Sequence, residues 1–195
     1  RILPGILIIL AGCAGGRGLE SLSTYDLGPL PAASRPVAAP AEVALEVRMA
    51  GWFDTINVQY RLLYDDPGRL HDYAHARWAA SPASLVEQRL RQHLGLPGAR
   101  NGVAAGCLLS VDVDEFSHNF VAAAESRGVI RGQARLLGKN GQMWAQREIN
   151  RVQVAPTQDA RGGIAALAAA TDGLARDLAQ WLQASGNELS RCRGG

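Results

Sequence analysis

The stretch VIRGQARLLGKNGQMWAQREINRVQV, residues 129–154, decides the fold class. Val129 to Leu137 and Met143 to Val154 are strand-like runs on either side of Lys139-Asn140-Gly141. Asn-Gly tolerates the left-handed backbone of a tight turn and is the strongest short hairpin signal, so the two runs are expected to pair antiparallel. Further upstream, Val43, Leu45, Val47 and Met49 alternate with Ala44, Glu46 and Arg48, and Ile56, Val58, Tyr60, Leu62 and Tyr64 repeat the same period of two. That period marks half-buried strands. Leu109, Val111 and Val113, with Ser110, Asp112 and Asp114 facing away, supply one more.

Two segments read as helices. Ser81-Pro82 is an N-cap followed by proline at the first helical position, and Leu85, Val86, Leu90 and Leu94 then fall at helical spacing until Gly95 and Pro97-Gly98 stop the run. Ile164, Leu167, Leu174, Leu178, Trp181 and Leu182 mark the apolar stripe of a final helix, with Arg176, Asp177 and Gln180 outside it. The order strand, strand, helix, three strands, helix predicts an α+β two-layer sandwich, a mainly antiparallel β-sheet covered by two helices. A length of 195 residues with 47% hydrophobic composition suits one core, expected over residues 42–186, with 187–195 as a C-terminal tail.

The N-terminus carries an address. Arg1 is followed by an apolar run from Ile2 to Ala11, far shorter than the roughly 20 residues of a spanning helix and of signal-peptide length. Leu10-Ala11-Gly12-Cys13 resembles the lipobox of bacterial lipoproteins. That resemblance implies cleavage between Gly12 and Cys13, removal of residues 1–12, and a covalent diacylglycerol with an N-acyl chain such as palmitate on Cys13. Ala14 stands where many inner-membrane lipoproteins have aspartate, which implies the periplasmic face of the outer membrane. Residues 13–41, rich in Pro, Gly and Ala, read as a tether. Within it, Tyr25-Asp26-Leu27 suggests a short strand able to dock on the domain.

Chemistry-bearing residues are sparse. His71 and His75 would share a helix face, but Asp72-Tyr73-Ala74 between them is not a zincin pattern, and no metal is expected. His93 and His118 stand alone, and Asp112, Asp114 and Glu115 read as a solvated strand face. Gly15-Gly16-Arg17-Gly18 follows no strand, and no nucleophile elbow, phosphate loop or cofactor fingerprint occurs, so a non-enzymatic protein without cofactor is expected. A net charge of +2 without a basic run gives no reason to expect a nucleic-acid partner. With Cys13 acylated, Cys107 and Cys192 remain as a disulfide candidate in an oxidising compartment, the alternative being two free thiols.

Tyr60-Arg61-Leu62-Leu63-Tyr64, then Tyr73, then Arg77-Trp78-Ala79 ahead of Ser81-Pro82 form a recognisable series. With Tyr25-Asp26-Leu27-Gly28 and Phe116 to Phe120, they resemble the ABC-type transport auxiliary lipoproteins, the PqiC/YmbA-like family. The resemblance implies an accessory working beside an MCE-domain protein and an ABC transporter permease that move lipid between inner and outer membranes. It departs at Gly51-Trp52-Phe53, where the family often has proline with tyrosine or leucine. Trp52, Phe53, Tyr73, Arg77 and Trp78 are the candidate partner contacts, weighed against core packing. A lipid-binding carrier and a structural envelope-assembly lipoprotein are the alternative functions, and self-association into a homo-oligomer is left open.

Overall fold

A computed structural model describes residues 21–32, 43–99 and 106–192. Gly12 and Cys13 lie outside the described residues. Seven strands, β1 (Ser23–Tyr25), β2 (Val43–Met49), β3 (Asn57–Leu62), β4 (Asp66–Trp78), β5 (Cys107–Ala122), β6 (Glu125–Gly138) and β7 (Met143–Val154), form one sheet. Its order is β1-β4-β3-β5-β6-β7, with β2 also on β5. Three helices complete the fold, α1 (Pro82–Leu94), α2 (Ala160–Ala184) and α3 (Gly186–Cys192). The α+β sandwich holds, with a mainly antiparallel sheet that also carries parallel pairs and, among the described residues, a short third helix beside the two that cover it.

The antiparallel part is the one read from residues 129–154. β6 pairs with β5 and β7 over long registers, from Cys107↔Gly138 to Ala122↔Glu125 and from Arg127↔Val154 to Leu137↔Met143. The β6–β7 turn has four residues, closed by Gly138 N–H donating to Gln142 O, and Gly141 alone takes the left-handed backbone, at φ 76°. Asn140 accepts from Gln142 N through its side chain instead. The parallel pairs come from the crossovers. β2 and β3 both lie along one edge of β5, β2 against Cys107 to Val113 and β3 against His118 to Phe120, and β1 lies parallel to β4.

Burial of the strands' inward positions under α1 and α2 makes the core. Val43, Leu45, Val47, Leu109, Val111, Val113, Ile130, Ala134 and Leu136 meet Val86, Leu90, Leu94, Leu167, Leu174 and Leu178. Each such aliphatic side chain, taken out of water, contributes about 1.5–3 kcal/mol. α1 begins as expected, with Ser81 Oγ accepting from Ser84 N, and ends at left-handed Gly95. α2 is capped by Asp159, and at Gly163 it approaches the sheet so closely that an added Cβ would lie 2.4 Å from His118 Nδ1. The other face of the sheet is polar: Asn57 and Gln59 donate to Asp72, Arg61 to Glu115, and Gln146 to Gln133.

Residues 186–192, expected as tail, are helix α3, with Leu189 and Cys192 buried. Cys107 and Cys192 are joined by a disulfide, with Cα atoms 5.3 Å apart and a sequence separation of 85. It fastens the chain's last helix to the first residue of β5. Among the described residues, no helix is long and apolar enough to cross a membrane.

Candidate functional site: a clamped arm and the cleft beside it

The apolar stripe of α1 is interrupted by two polar residues, Arg89 and His93, both buried. The stripe of α2 is interrupted by one acid, Asp172, also buried. Packing of the two helices brings the three together. Arg89 donates through Nε to Asp172 Oδ1 at 2.7 Å and through Nη2 to Oδ2 at 2.8 Å, a bidentate pair. His93 Nε2 lies 2.7 Å from Oδ1 and donates to it. Burial opposes ionisation of Asp172, but the hydrogen bonds and charges of Arg89 and His93 outweigh it and hold the carboxyl below the usual range.

Arg89 has a third nitrogen, and it points at the chain's own N-terminal arm. Nη1 donates to the carbonyls of Leu27 at 2.8 Å, Gly28 at 2.7 Å and Pro29 at 3.2 Å. Two residues earlier the arm is β1, in register Ser23↔Ala76 to Tyr25↔Trp78, and Ala79 N donates to Tyr25 O. Leu27 is buried in the main core. Within the segment read as tether, the short strand expected at Tyr25-Asp26-Leu27 does dock, and residues 23–29 are fastened to the domain by strand pairing, a buried leucine and a charged clamp.

Beside β1 the pairing of β3 and β4 breaks. Asn57↔Arg77 is followed by Gln59↔Asp72, so Tyr73 to Ala76 bulge from the ladder. A cleft of about 650 Å³ opens between the bulge, β1 and the start of α2, lined by Ser21, Ser23, Tyr25, Tyr73, Asp159 and Arg161 among others. Tyr73 Oη lies 2.8 Å from His118 Nδ1. Burial lowers His118 to about 4, with Asp159 opposing, so the ring is neutral at neutral pH and shares a single hydrogen bond with the phenol through Nδ1. Burial, then Tyr60 and Asp159, raises Tyr73, which keeps it a donor. Asp159 is held below the usual range by Gly162 N–H, with Thr157 adding a bond, because it caps α2. Behind Tyr73, Tyr60 lies 4.6 Å away and stacks on His71 at 5.0 Å. The cleft offers rings and hydrogen bonds, and neither Tyr73 nor His118 changes charge near neutral pH.

The expected contact residues do not form one surface. Trp52 is 64% exposed, but Phe53 is 2% and Trp78 3% exposed. Both belong to the core: Trp78 packs on Phe116 at 5.8 Å, and Arg61 lies over the Phe53 ring at 5.6 Å. Phe53 and Trp78 are corrected from contact to packing because the β2–β3 loop folds inward and the end of β4 faces the helices. Arg77 is exposed opposite Thr24, and Tyr73 is half-buried in the cleft. His71 and His75 lie on β4, not on a helix, where four residues of strand span about 13 Å. Asp112 pairs with Arg135, Glu115 with Arg61, and Asp114 is exposed. No cluster able to hold a metal occurs among the described residues. Of the clamp residues, Arg89 and Asp172 were not singled out by sequence, and His93, read as standing alone, is bonded to Asp172. The signal for them was opposite charge standing inside two apolar helical stripes.

Fold and clamp together define an α+β domain fastened to its own N-terminal arm. Residues 25–179 match the family model described as the ABC-type transport auxiliary lipoprotein component, and the chain belongs to that family. A solved protein from Xanthomonas campestris, of domain family DUF330, shares the fold at TM-score 0.70 and 18% identity, over 87% of this chain and 99% of that one. A second, described only as uncharacterized, aligns at TM-score 0.65 and 17% identity, over 84% and 99%. No curated protein matches.

Proposed function

We propose that this chain is a non-enzymatic accessory lipoprotein of an MCE-type lipid transport system, anchored in the outer membrane through acylated Cys13 and binding the periplasmic end of the transport assembly. The clamped arm carries this reading. A domain joined to its membrane anchor by a segment built into its own sheet is held at a defined distance from the bilayer. Holding a partner there raises its effective concentration without strong contacts. MCE-domain protein and ABC permease are the expected partners, and Trp52, the large aromatic left outside the core, is the first residue to test for contact.

The test is cross-linked affinity purification of the intact lipoprotein from envelope membranes, with Cys13→Ala as control. Recovery of an MCE-domain protein or its permease, diminished in the control, is expected. Recovery of peptidoglycan- or outer-membrane-assembly components alone would replace this reading with a structural envelope role.

A further inference from the structure

The sheet has two ends, and they differ. At one end stand the β3–β4 turn, the β5–β6 turn and the end of β7. Leu63 N donates to Phe120 O, Ala122 pairs with Glu125, and Val154 pairs with Arg127, so the three tips form a row. Neighbouring strands are about 4.8 Å apart, which makes the row from β4 to β7 roughly 20 Å wide. Among its side chains are large hydrophobics outside the core, Leu63, Tyr64 at 52% exposed and Val154 at 69%, with exposed alanines at 122–124 between them. The opposite end carries α3 and the Cys107–Cys192 bond.

The arm leaves toward the first end. β1 is parallel to β4, and β4 begins at the β3–β4 turn, so the chain traced backward from Ser23 runs toward the tips. Ser21 lines the cleft with Tyr73, whose hydroxyl reaches His118 on β5. From Cys13 to Ser21 there are eight residue steps, at most about 26–29 Å of extended chain. From His118 back to Cys107 there are eleven strand residues, about 36 Å. While the arm is docked, that length brings the tips within reach of Cys13 and falls short of the disulfide end.

We infer that the apolar tips at Leu63-Tyr64, Ala122 to Ala124 and Val154 lie against the lipid surface that holds the anchor, and so orient the domain with α3 away from the membrane. The inference rests on the acylation of Cys13 proposed above. Tyrosine and leucine at a sheet's end suit the boundary between headgroups and acyl chains, where an aromatic ring has one apolar and one wet side. Asp65, Asp66 and Glu125 stand beside Arg69 and Arg127 at the same end, a mixture of charges that suits zwitterionic headgroups.

The test uses the full lipidated chain in vesicles of phosphatidylethanolamine and phosphatidylcholine containing a nitroxide-labelled lipid. An environment-sensitive fluorophore is placed on one added cysteine at a time, Tyr64→Cys, Ala123→Cys or Asn187→Cys, all exposed positions. Quenching at least about twofold stronger at the two tip positions than at Asn187→Cys is expected. Equal or stronger quenching at Asn187→Cys, or no quenching anywhere on chains that float with the vesicles, overturns the orientation and leaves the anchoring reading standing. Failure of the chain to float with the vesicles would sink the anchoring reading itself.

Discussion

At Arg89 a single side chain holds together two helices and an arm. Replacing it with alanine leaves Asp172 buried with His93 as its remaining partner, and loss of one member of a buried ion pair costs about 3–5 kcal/mol. Urea unfolding of Arg89→Ala is expected to show that loss, while Arg89→Met with Asp172→Leu recovers much of it. Acid should act in two separate windows. His118 has its folded pKa lowered to about 4 from 6.5, so the unfolded chain binds the extra proton, and the stability that depends on a neutral ring falls as pH drops from about 6.5 through 4. His118→Gln is expected to flatten the urea midpoint across that window. Asp172 has its folded value depressed, so its contribution is complete above the unfolded carboxylate range and disappears only below it. The clamp was hidden in sequence because Arg89, His93 and Asp172 are 79 or more residues apart between helices, and only packing shows that their charges meet.

Strands and helices were legible in proportion to how regular their side-chain period is. The β6–β7 hairpin, β2, β3, α1 and α2 follow their patterns and stand close to where those patterns place them. β4 was missed: Asp65-Asp66-Pro67-Gly68 reads as a turn, and the Tyr73–Ala76 bulge breaks the alternation that would have marked the rest. β5 runs well past Val113 because a bulge between Val113 and Glu115 shifts which residues face inward, and the shifted set, Phe116, His118 and Phe120, no longer continues the earlier phase. α3 is seven residues long, too short for a helical stripe to declare itself. Its hold on the fold is the disulfide. Closing a loop over a separation of 85 residues restricts the unfolded chain by about 4–5 kcal/mol in the chain-entropy model. Cys107→Ser with Cys192→Ser is therefore expected to unfold at markedly lower urea, with amides of α3 the first to lose hydrogen-exchange protection.

For the molecule as a whole, the arm belongs to the fold and does not merely precede it. A chain beginning at residue 33 would lack β1, leave the Leu27 site empty, and strip Arg89 Nη1 of three carbonyl acceptors. A buried donor left without partners costs about 1–3 kcal/mol, and the lost apolar burial adds to it. Such a chain is expected to fold with a lower melting temperature, and a melting temperature equal to that of the intact chain would show the arm to be dispensable. The sequence disclosed the arm's composition and its tyrosine-bearing exception, but not the guanidinium that grips it from 60 residues downstream.

The direction of β1 also sets how the domain meets mechanical load. With Cys13 acylated as proposed, a pull on the anchor acts along the axis of β1 and away from Arg89, so the β1–β4 bonds and the three Arg89 bonds are loaded in shear, all together, and not peeled one by one. Resistance to such a pull is governed by the rate of crossing the barrier to rupture. The clamp follows β1 in the chain, so a force that breaks both frees residues 23–29 from β4 and from Arg89 together.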